Sequence, residues 1–388
     1  MAALPVPHCR VIDDFDESTA SCGDARPEDA SLEVLRVPSS DDAPCNSTHH
    51  SSVVLVHAED AVTLRSRSYG TATPLAYGGQ SYRVADAGES GLGVFATLDI
   101  ERGDCIIVER PLLVYPELLP YHRVAPPSHR YPELDEAAQH LSVEDREALY
   151  SLAHCQDLEA SAVKGILDTN GLTLGTLVSG GFRYAAVCRD ISRVNHNCCP
   201  NAAYRFDSTS FTYELRALAP IPAGSQIFIS YVDPALPRAQ RIESLSSYGF
   251  TCACTACSLS GPELVRSETR RALIRRADSN LAERNAALER WAHDPSIPED
   301  YVNRVDRMYM DLFEKEQLYY EPVWEGYAVR LFKASCALED REGAQRWAQL
   351  ASALNRAYTG SDRGWDAVVA APERTEWWGL RRRMQQLS

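Results

Sequence analysis

The residues best suited to chemistry are three cysteines, Cys252, Cys254 and Cys257, which form the spacing Cys-x-Cys-x-x-Cys. Zinc in structural sites takes four ligands in a tetrahedron, so this cluster lacks one ligand locally. Cys198, with Cys199 as the second choice, can supply the fourth thiolate from upstream. A metal bound in this way would hold the cysteine segment against the Asn-His turn that precedes Cys198. The pattern therefore predicts a closed pocket beside a metal site.

Four short motifs follow one another along the chain, and together their order and spacing are specific. They are Gly-Leu-Gly-Val-Phe-Ala at residues 91–96, Asn-His-Asn-Cys-Cys-Pro-Asn at 195–201, Gly-Ser-Gln-Ile-Phe-Ile-Ser-Tyr at 224–231, and the cysteine motif at 252–257. This series resembles the SET domain, the fold of S-adenosylmethionine-dependent protein lysine methyltransferases. The resemblance covers residues 82–258 and is closest to the SET and MYND branch, in the fungal type without the MYND finger.

The fold class that the resemblance implies is α+β. A SET β-fold of short strands, with a pseudoknot and a helical insert, would occupy residues 77–249, with the insert at 117–180. Residues 250–260 would form a zinc-bound post-SET tail, and residues 261–388 an all-α domain of tetratricopeptide-like helices. Short apolar runs broken by Gly, Asp and Pro before residue 116 and after residue 181 independently predict strands.

Apolar residues recur at helical spacing after residue 258. We expect helices at residues 270–291, 301–318, 324–338, 344–358 and 372–378, with a turn at 339–343. No clean tetratricopeptide-length repeat is visible. Residues 1–76 carry twelve acidic and five basic residues, which predicts a flexible acidic segment. The apolar runs at residues 32–35 and 53–56 leave an added β-hairpin open as the alternative.

The composition of the chain limits the binding partners and the cellular compartment that we expect for the protein. The 388 residues carry a formal net charge of −15, which speaks against a nucleic-acid surface but suits a basic protein substrate. The chain has neither a secretory signal nor a membrane-spanning apolar run. Its twelve cysteines therefore favour reduced thiols and a metal site over disulfides, in the cytoplasm or nucleus. His154 and Cys155 are interpreted as core or surface residues rather than metal ligands.

The resemblance also implies where S-adenosylmethionine binds. Gly91 and Gly93 would let the backbone pass close to the cofactor because no Cβ intervenes. Leu92 would contact the amino-acid end of the cofactor, and Phe250 would cover the cofactor as the cysteine tail folds over it. Backbone groups of Asn195 and of the following histidine, His196, would hold the adenine edge, while the Asn195 side chain would reach the cofactor's amino group.

Tyr231 is the predicted catalytic residue and a cofactor contact. Its phenol would orient the lysine amine or the transferring methyl group rather than act as a strong base, because the ordinary phenol pKa is near 10. Other aromatic candidates for lining a lysine channel are Tyr204, Tyr213 and Tyr248.

Two positions depart from the family pattern. Asn197 stands where Ser is usual, and Ser225 with Gln226 stand where two glutamates are usual. The intact Tyr231 favours an active protein lysine methyltransferase, acting on a histone or non-histone protein. The lost acidic pair favours a weak or inactive SET-fold scaffold that docks a protein partner on its C-terminal helices. A third possibility is a methyltransferase of a specialised pathway with a non-histone substrate.

Overall fold

The computed structural model describes residues 4, 6, 31–38, 51–67, 69, 81–119, 131–155, 161–178, 181–277 and 281–387. The strands are β1 (Leu32–Val37), β2 (Ser52–His57), β3 (Tyr82–Asp86), β4 (Leu92–Ala96), β5 (Cys105–Glu109), β6 (Leu113–Pro116), β7 (Leu172–Thr176), β8 (Arg183–Val187), β9 (Asn195–His196), β10 (Ala202–Asp207), β11 (Thr212–Ala217) and β12 (Phe228–Ile229).

The helices fall into three groups along the chain. They are α1 (Ala58–Ser66); α2 (Pro132–Gln139), α3 (Val143–Tyr150) and α4 (Ala162–Asn170); and α5 (Arg238–Leu245), α6 (Gly261–Arg275), α7 (Leu281–His293), α8 (Asn303–Glu316), α9 (Glu321–Ala337), α10 (Arg341–Thr359), α11 (Trp365–Ala370) and α12 (Leu380–Leu387). Among the helices described, none is long and apolar enough to cross a membrane. The chain is thus a mixed α+β protein.

The largest sheet in the described part of the chain has the strand order β1-β2-β6-β8-β7. β2 pairs antiparallel with β1 and parallel with β6. Every residue of β2 is buried because it lies inside the sheet with packing on both faces. The prediction of a flexible acidic segment is therefore wrong for residues 32–37 and 52–66, where β1 and β2 pair antiparallel as the alternative of an added β-hairpin expected. The rest of residues 1–76 lies almost entirely outside the described residues. The apolar run at residues 53–56 outweighs the acidic composition around it.

The helices α2, α3 and α4 cover one face of this sheet. Leu134, Leu149 and Ile166 pack with Val53 and Leu113 in one buried cluster. The helix α3 begins at Ser142, whose hydroxyl accepts the backbone N–H of Asp145 at 3.0 Å, as an N-cap residue does. The helices stop at Asn170 and β7 follows, so the last part of the predicted insert is strand. β7 is the edge strand of the large sheet, so this edge begins directly after the end of α4.

The remaining described strands form three smaller sheets, and these sheets carry the sequence motifs. β10, β11 and β5 form an antiparallel sheet, and β3 pairs with β4 as a hairpin. β9 and β12 run parallel, so that Asn195 faces Phe228 and His196 faces Ile229. An antiparallel bridge joins Phe95 of β4 to Gln226 just before β12. Three motifs that are far apart in the sequence therefore converge at one place.

Helices α6 to α12 form the C-terminal region around a core that includes Trp291, Trp365 and Phe332. The predicted helix at residues 270–291 is wrong in its extent: α6 begins at Gly261 and a separate α7 follows. Asp, Ser and Asn at residues 278–280 are cap-forming residue types, which favour an interruption. Residues 372–378 begin with a short 3-10 turn, and the last helix is α12. α10 packs against β10 and β11.

Candidate functional site

The glycine motif and the Asn-His motif meet directly. The side-chain amide of Asn195 donates to the carbonyl oxygen of Leu92 at 3.1 Å. A Cβ on Gly93 would lie 2.4 Å from Nε2 of Gln226 and 2.9 Å from Nδ2 of Asn195. These distances are too short for any side chain, so glycine at position 93 is what allows the two amides to approach. The structure thus brings Leu92 and Gly93 of the glycine motif together with Asn195.

His196 has its tautomer fixed by two neighbours. Its Nδ1 accepts the backbone N–H of Tyr231 at 3.0 Å, so the ring proton lies on Nε2. Nε2 is 3.3 Å from the sulfur of Cys198 and donates to it. Burial lowers the pKa of His196 to about 4, and the ring is therefore neutral at physiological pH. His196 links the end of β12 to the cysteine cluster.

Tyr231 has a committed hydroxyl proton. Its OH donates to the carbonyl oxygen of Val194 at 2.8 Å. Burial, and then the nearby phenol of Tyr248, raise the pKa of Tyr231 well above its usual value. The phenol is therefore neutral, and its oxygen retains acceptor capacity. This arrangement suits orientation of an amine and does not suit a general base.

A cavity of ≈ 120 Å³ lies beside Tyr231. The rings of Tyr231 and Tyr248 are 5.0 Å apart between centroids, and Tyr204 joins them in the wall. Tyr213 instead donates from its hydroxyl to the carbonyl of Leu172 at 3.1 Å and does not line this cavity. The full lining is Thr169, Asn170, Gly171, Leu172, Thr173, Ile191, Ser192, Val194, Tyr204, Ile229, Ser230, Tyr231 and Tyr248.

Several polar residues of this wall were absent from the predicted site. Asn170 is buried, and its side-chain nitrogen donates to the carbonyls of Ala153 and Ile166 at 2.7 and 2.8 Å. Ser192 is buried as well, and its hydroxyl donates to the carbonyl of Asn170 at 3.0 Å. A helix end carrying Thr-Asn-Gly at residues 169–171 was the available sequence signal, but nothing in the spacing placed it next to Tyr231.

Two large apolar side chains stay exposed near the motifs. Phe250 is 40% exposed and Leu92 is 46% exposed. The Phe250 ring centroid lies 6.2 Å from that of His196 and 6.5 Å from that of Tyr231. Phe250 thus lies beside His196 and Tyr231, and Leu92 is joined to Asn195 by a hydrogen bond.

The four predicted cysteines converge. The sulfur atoms of Cys198, Cys252, Cys254 and Cys257 all lie within 4.8 Å of one another, and none of them is in a disulfide. A tetrahedral zinc with Zn–S bonds of ≈ 2.3 Å requires sulfurs roughly 3.8 Å apart. The Cys198 sulfur lies 4.0 Å from that of Cys252 and 3.6 Å from that of Cys257. The donor set and its spacing fit a zinc ion.

Hydrogen bonding within the cluster favours the thiolate at Cys254 and Cys257, whereas the pKa values of Cys198 and Cys252 are raised above the ordinary value. Hydrogen bonds from Cys198 and then Cys252 lower the pKa of Cys257 to about 6. The same two partners also hold the pKa of Cys254 far below its usual value. Thiolates are the form that binds zinc, so metal binding would release the protons that Cys198 and Cys252 retain. The four sulfurs are placed to hold the metal without a further ligand.

Cys199 packs against the cluster but is not one of its four converging sulfurs. Its sulfur lies 3.2 Å from a terminal nitrogen of Arg271. Its backbone N–H donates to Oδ1 of Asn197 at 2.8 Å, so Asn197 stabilises this turn through its own side chain. It is therefore the sulfur of Cys198, and not that of Cys199, that converges with the three downstream cysteines. The Ser-to-Asn departure keeps a side-chain oxygen that can accept this bond.

The second departure lies outside the cavity. Neither Ser225 nor Gln226 is among its lining residues. Nε2 of Gln226 is buried without a hydrogen-bond partner, next to the Asn195 amide. Asn201 holds the adjoining backbone: it donates to the Gln226 carbonyl at 3.0 Å and accepts the N–H of Phe228 at 2.7 Å. The missing glutamates thus leave the wall around Tyr231 intact.

His154 and Cys155 are not grouped with the four cysteines. The His154 ring packs over Gly165, where a Cβ would lie 2.3 Å from its Cε1. Cys155 contacts the hydroxyl of Thr169 at 3.2 Å. Both residues lie near the end of α4 that borders the cavity. Their interpretation as residues outside the metal site agrees with this placement.

Comparison with known proteins gives one family and several partial relatives. Residues 91–232 match the sequence model of the SET domain. The chain is 38% identical to the N-lysine methyltransferase SMYD2-A of Xenopus laevis over 88 residues, which are 22% of this chain and 20% of that protein. It is 26% identical to the histone-lysine N-methyltransferase set5 of Schizosaccharomyces pombe over 208 residues, 53% of this chain and 60% of that protein. Human SMYD2 is 34% identical over 88 residues, or 20% of its length. The chain thus covers less than two thirds of each relative.

Proposed function

We propose that this chain, which contains a SET domain and is homologous to the lysine methyltransferases SMYD2 and set5, is an S-adenosylmethionine-dependent protein lysine N-methyltransferase. The observation that carries the proposal is the tyrosine-lined cavity of ≈ 120 Å³ at Tyr231. Small-molecule pockets usually enclose ≈ 300–1,000 Å³. A cavity this narrow suits a single unbranched side chain, as a lysine channel requires. A scaffold has no need of it.

The cavity also favours the reactive form of the substrate. A lysine amine has a pKa of ≈ 10.4 in water and must lose a proton before it can form a bond to carbon. Enclosure by Tyr204, Tyr231 and Tyr248 disfavours the charged ammonium. The phenolic oxygen of Tyr231 then accepts an N–H of the neutral amine, because its own proton is held by Val194. This contact aims the nitrogen lone pair along the line of displacement.

S-Adenosylmethionine supplies the methyl group when it is bound. The residues of this chain would align the amine nitrogen with that methyl group. Alignment of the two reactants accounts for most of the rate. We assign the cofactor contacts to the convergent motif residues, which are Gly91, Leu92, Gly93, Asn195, His196, Tyr231 and Phe250.

We assign zinc to Cys198, Cys252, Cys254 and Cys257, which makes residues 250–260 a post-SET segment. The SET domain then spans residues 77–249 together with the added strands β1 and β2. The parallel pairing of β9 with β12 supports the pseudoknot that this family implies. The helices from α8 to α11 pack in sequence, which supports a tetratricopeptide-like domain, whereas α6 packs against α8 and α7 packs against α9 and α12. The substrate is a lysine-containing protein, histone or non-histone.

Transfer of labelled methyl groups tests the proposal. The zinc-loaded full-length protein is incubated with S-adenosylmethionine carrying a tritiated methyl group, with core histones and, separately, with a library of lysine peptides. We expect label on lysine with the wild-type protein and almost none with Tyr231→Phe. Failure to label any substrate, together with failure to bind S-adenosylmethionine, would favour the non-catalytic scaffold.

A further inference from the structure

Two buried arginines lie against the cysteine cluster. Arg241 of α5 is fully buried, and one of its terminal nitrogens lies 3.9 Å from the Cys257 sulfur. Arg271 of α6 is 1% exposed. One terminal nitrogen of Arg271 donates to the carbonyl of Cys198 at 3.1 Å, and the other lies 3.2 Å from the Cys199 sulfur. The cluster thus has guanidinium groups packed against two of its sides.

Charge explains why arginines are placed there. Four thiolates around one Zn²⁺ leave a net charge of −2, and a buried charge is costly unless it is compensated. Arg241, Arg270 and Arg271 carry one more positive charge than Glu268 and Glu316, the two carboxylates with which they pair, and so offset part of this charge. Arginine suits this role because its charge is permanent and its donors are fixed in a plane.

Arg271 does not reach the cluster from the SET domain. It lies in α6, the first helix of the C-terminal region, and its Nε donates to Glu316 of α8 at 2.9 Å. Glu316 is 4% exposed and also accepts the hydroxyl of Ser267 at 2.6 Å. Arg270 forms a further ion pair with Glu316. Two C-terminal helices therefore fix the orientation of one guanidinium group.

The same guanidinium reaches a second part of the SET domain. It donates to the carbonyl of Pro234 as well as to that of Cys198. Pro234 follows Tyr231 by three residues, and Cys198 follows His196 by two. Arg271 thus bridges the two chain segments that lead away from the site. The helices α6 and α8 hold that bridge.

We infer that Arg271, oriented by Glu316, is a positioning residue of the zinc site, and that the C-terminal helices are an integral wall of this site rather than a detachable docking domain. The inference rests on the proposed zinc ligation by the four cysteines. It assigns the helices a role that is separate from binding a partner. Zinc affinity should depend on a side chain that is not itself a ligand.

Zinc affinity of the full-length protein, measured by competition with a chromophoric chelator, tests the inference. Arg271→Leu should weaken zinc binding about 10- to 100-fold, the usual effect of losing a group that supports metal ligands. Arg330→Leu is the matched control. Arg330 is equally buried in the same helical region and pairs with Asp306 at 2.9 Å, but no contact joins it to the cysteines among the described residues. It should lower thermal stability and leave zinc affinity unchanged.

The pair Arg271 and Glu316 gives a second, independent readout. Glu316→Gln should weaken zinc binding by itself and add little to Arg271→Leu, because both act through one guanidinium group. Wild-type zinc affinity in Arg271→Leu, with only the loss of stability that Arg330→Leu shows, would overturn the inference alone. A wild-type protein that binds no zinc would overturn the inference together with the metal site. Methyl transfer by that protein would show that the proposed activity stands without the metal.

Discussion

The backbone N–H of Tyr231 donates to Nδ1 of His196 at 3.0 Å, and the opposite nitrogen of the same ring lies 3.3 Å from the sulfur of Cys198. One neutral imidazole therefore connects the wall of the tyrosine cavity to the cysteine cluster. A displacement of the cysteine cluster would therefore displace the imidazole ring of His196, and with it the backbone N–H of Tyr231 that the ring accepts. The metal site and the cavity are thus parts of one structural unit.

Loss of metal should consequently impair the cavity as well as the tail. Cys254→Ser should abolish stoichiometric zinc binding, lower the melting temperature and weaken S-adenosylmethionine binding, because zinc binding contributes directly to folding of the segment that carries Phe250. Metal analysis and thermal unfolding with and without chelator measure these effects. Cys105→Ser is the control, since Cys105 lies in β5 away from the cluster. Full cofactor binding by metal-free Cys254→Ser would contradict this coupling.

Removal of the Tyr231 hydroxyl should affect turnover more than binding. Tyr231→Phe keeps the ring and its packing but loses the oxygen that orients the amine, so we expect kcat to fall roughly 100-fold or more. The dissociation constant for S-adenosylmethionine should change little. Single-turnover methyl transfer and cofactor titration separate the two quantities. The exposed Tyr301 provides Tyr301→Phe as the control. A turnover rate within twofold of wild type would show that Tyr231 is not the orienting residue.

Crowding the glycine motif should disturb Asn195. The Cβ of Gly93→Ala would approach the amides of Gln226 and Asn195, and overpacking of this kind costs about 1–3 kcal/mol. We expect S-adenosylmethionine binding to weaken about 10-fold or more, as measured by calorimetric titration. Gly88→Ala, in the turn of the same hairpin, adds a Cβ with no atom within 4 Å but at a positive φ of +68°. It should reduce stability without reducing cofactor affinity, and equal losses in both variants would argue against the contact.

The carboxyl group of Glu109 should make the stability of the protein depend on pH. Glu109 accepts the backbone N–H groups of Asp190 and Ile191 at 3.2 and 2.5 Å, at the start of the turn that leads to Asn195. Burial, and then the charge of Asp190, raise the pKa of Glu109 from 4.5 to about 7. The folded state therefore binds more protons than the unfolded state between pH 4.5 and 7, and this group's contribution to stability is lost as pH rises through that window.

Glu109→Gln should remove this dependence of the unfolding free energy on pH. We expect the free energy of unfolding of the wild-type protein to decline relative to the variant by about 2 kcal/mol between pH 4.5 and 7. Denaturant unfolding at a series of pH values measures the difference. Parallel stability curves for the two proteins would show that Glu109 titrates at its ordinary pKa. Glu117→Gln, at a more exposed carboxyl after β6, provides the comparison.

Local chemistry made much of the site predictable from sequence. Cys-x-Cys-x-x-Cys requires a fourth ligand, and the SET-like order of motifs pointed to Cys198, Asn195 and Tyr231. The choice between Cys198 and Cys199 needed the turn geometry, because adjacent side chains there point in different directions. The structure shows that Cys199 meets Arg271, a residue whose position depends on how α6 packs. Sequence periodicity gives a helix its apolar face but does not say which distant turn that helix will contact.

The fold, like the site, was predictable from sequence only where local patterns determine the structure. Strand and helix types followed from apolar periodicity, including the C-terminal helices. The acidic composition of residues 1–76, considered as a whole, favours a flexible segment over the strand β2. An average of this kind hides one buried apolar strand among acidic residues. The burial of β2 comes from parallel pairing with β6, a contact that no local signal encodes. The wall residues Asn170 and Ser192 escaped prediction for this reason as well.

Calorimetric titration of the zinc-loaded protein with S-adenosylmethionine tests the central claim most directly, with Asn195→Ala and Tyr231→Phe beside the wild type. Asn195→Ala removes the amide that donates to Leu92, whereas Tyr231→Phe leaves the cofactor contacts of the glycine and Asn-His motifs in place. The account predicts saturable binding to the wild type, retained in Tyr231→Phe and lost in Asn195→Ala. Absence of binding by folded, zinc-containing wild-type protein would contradict it.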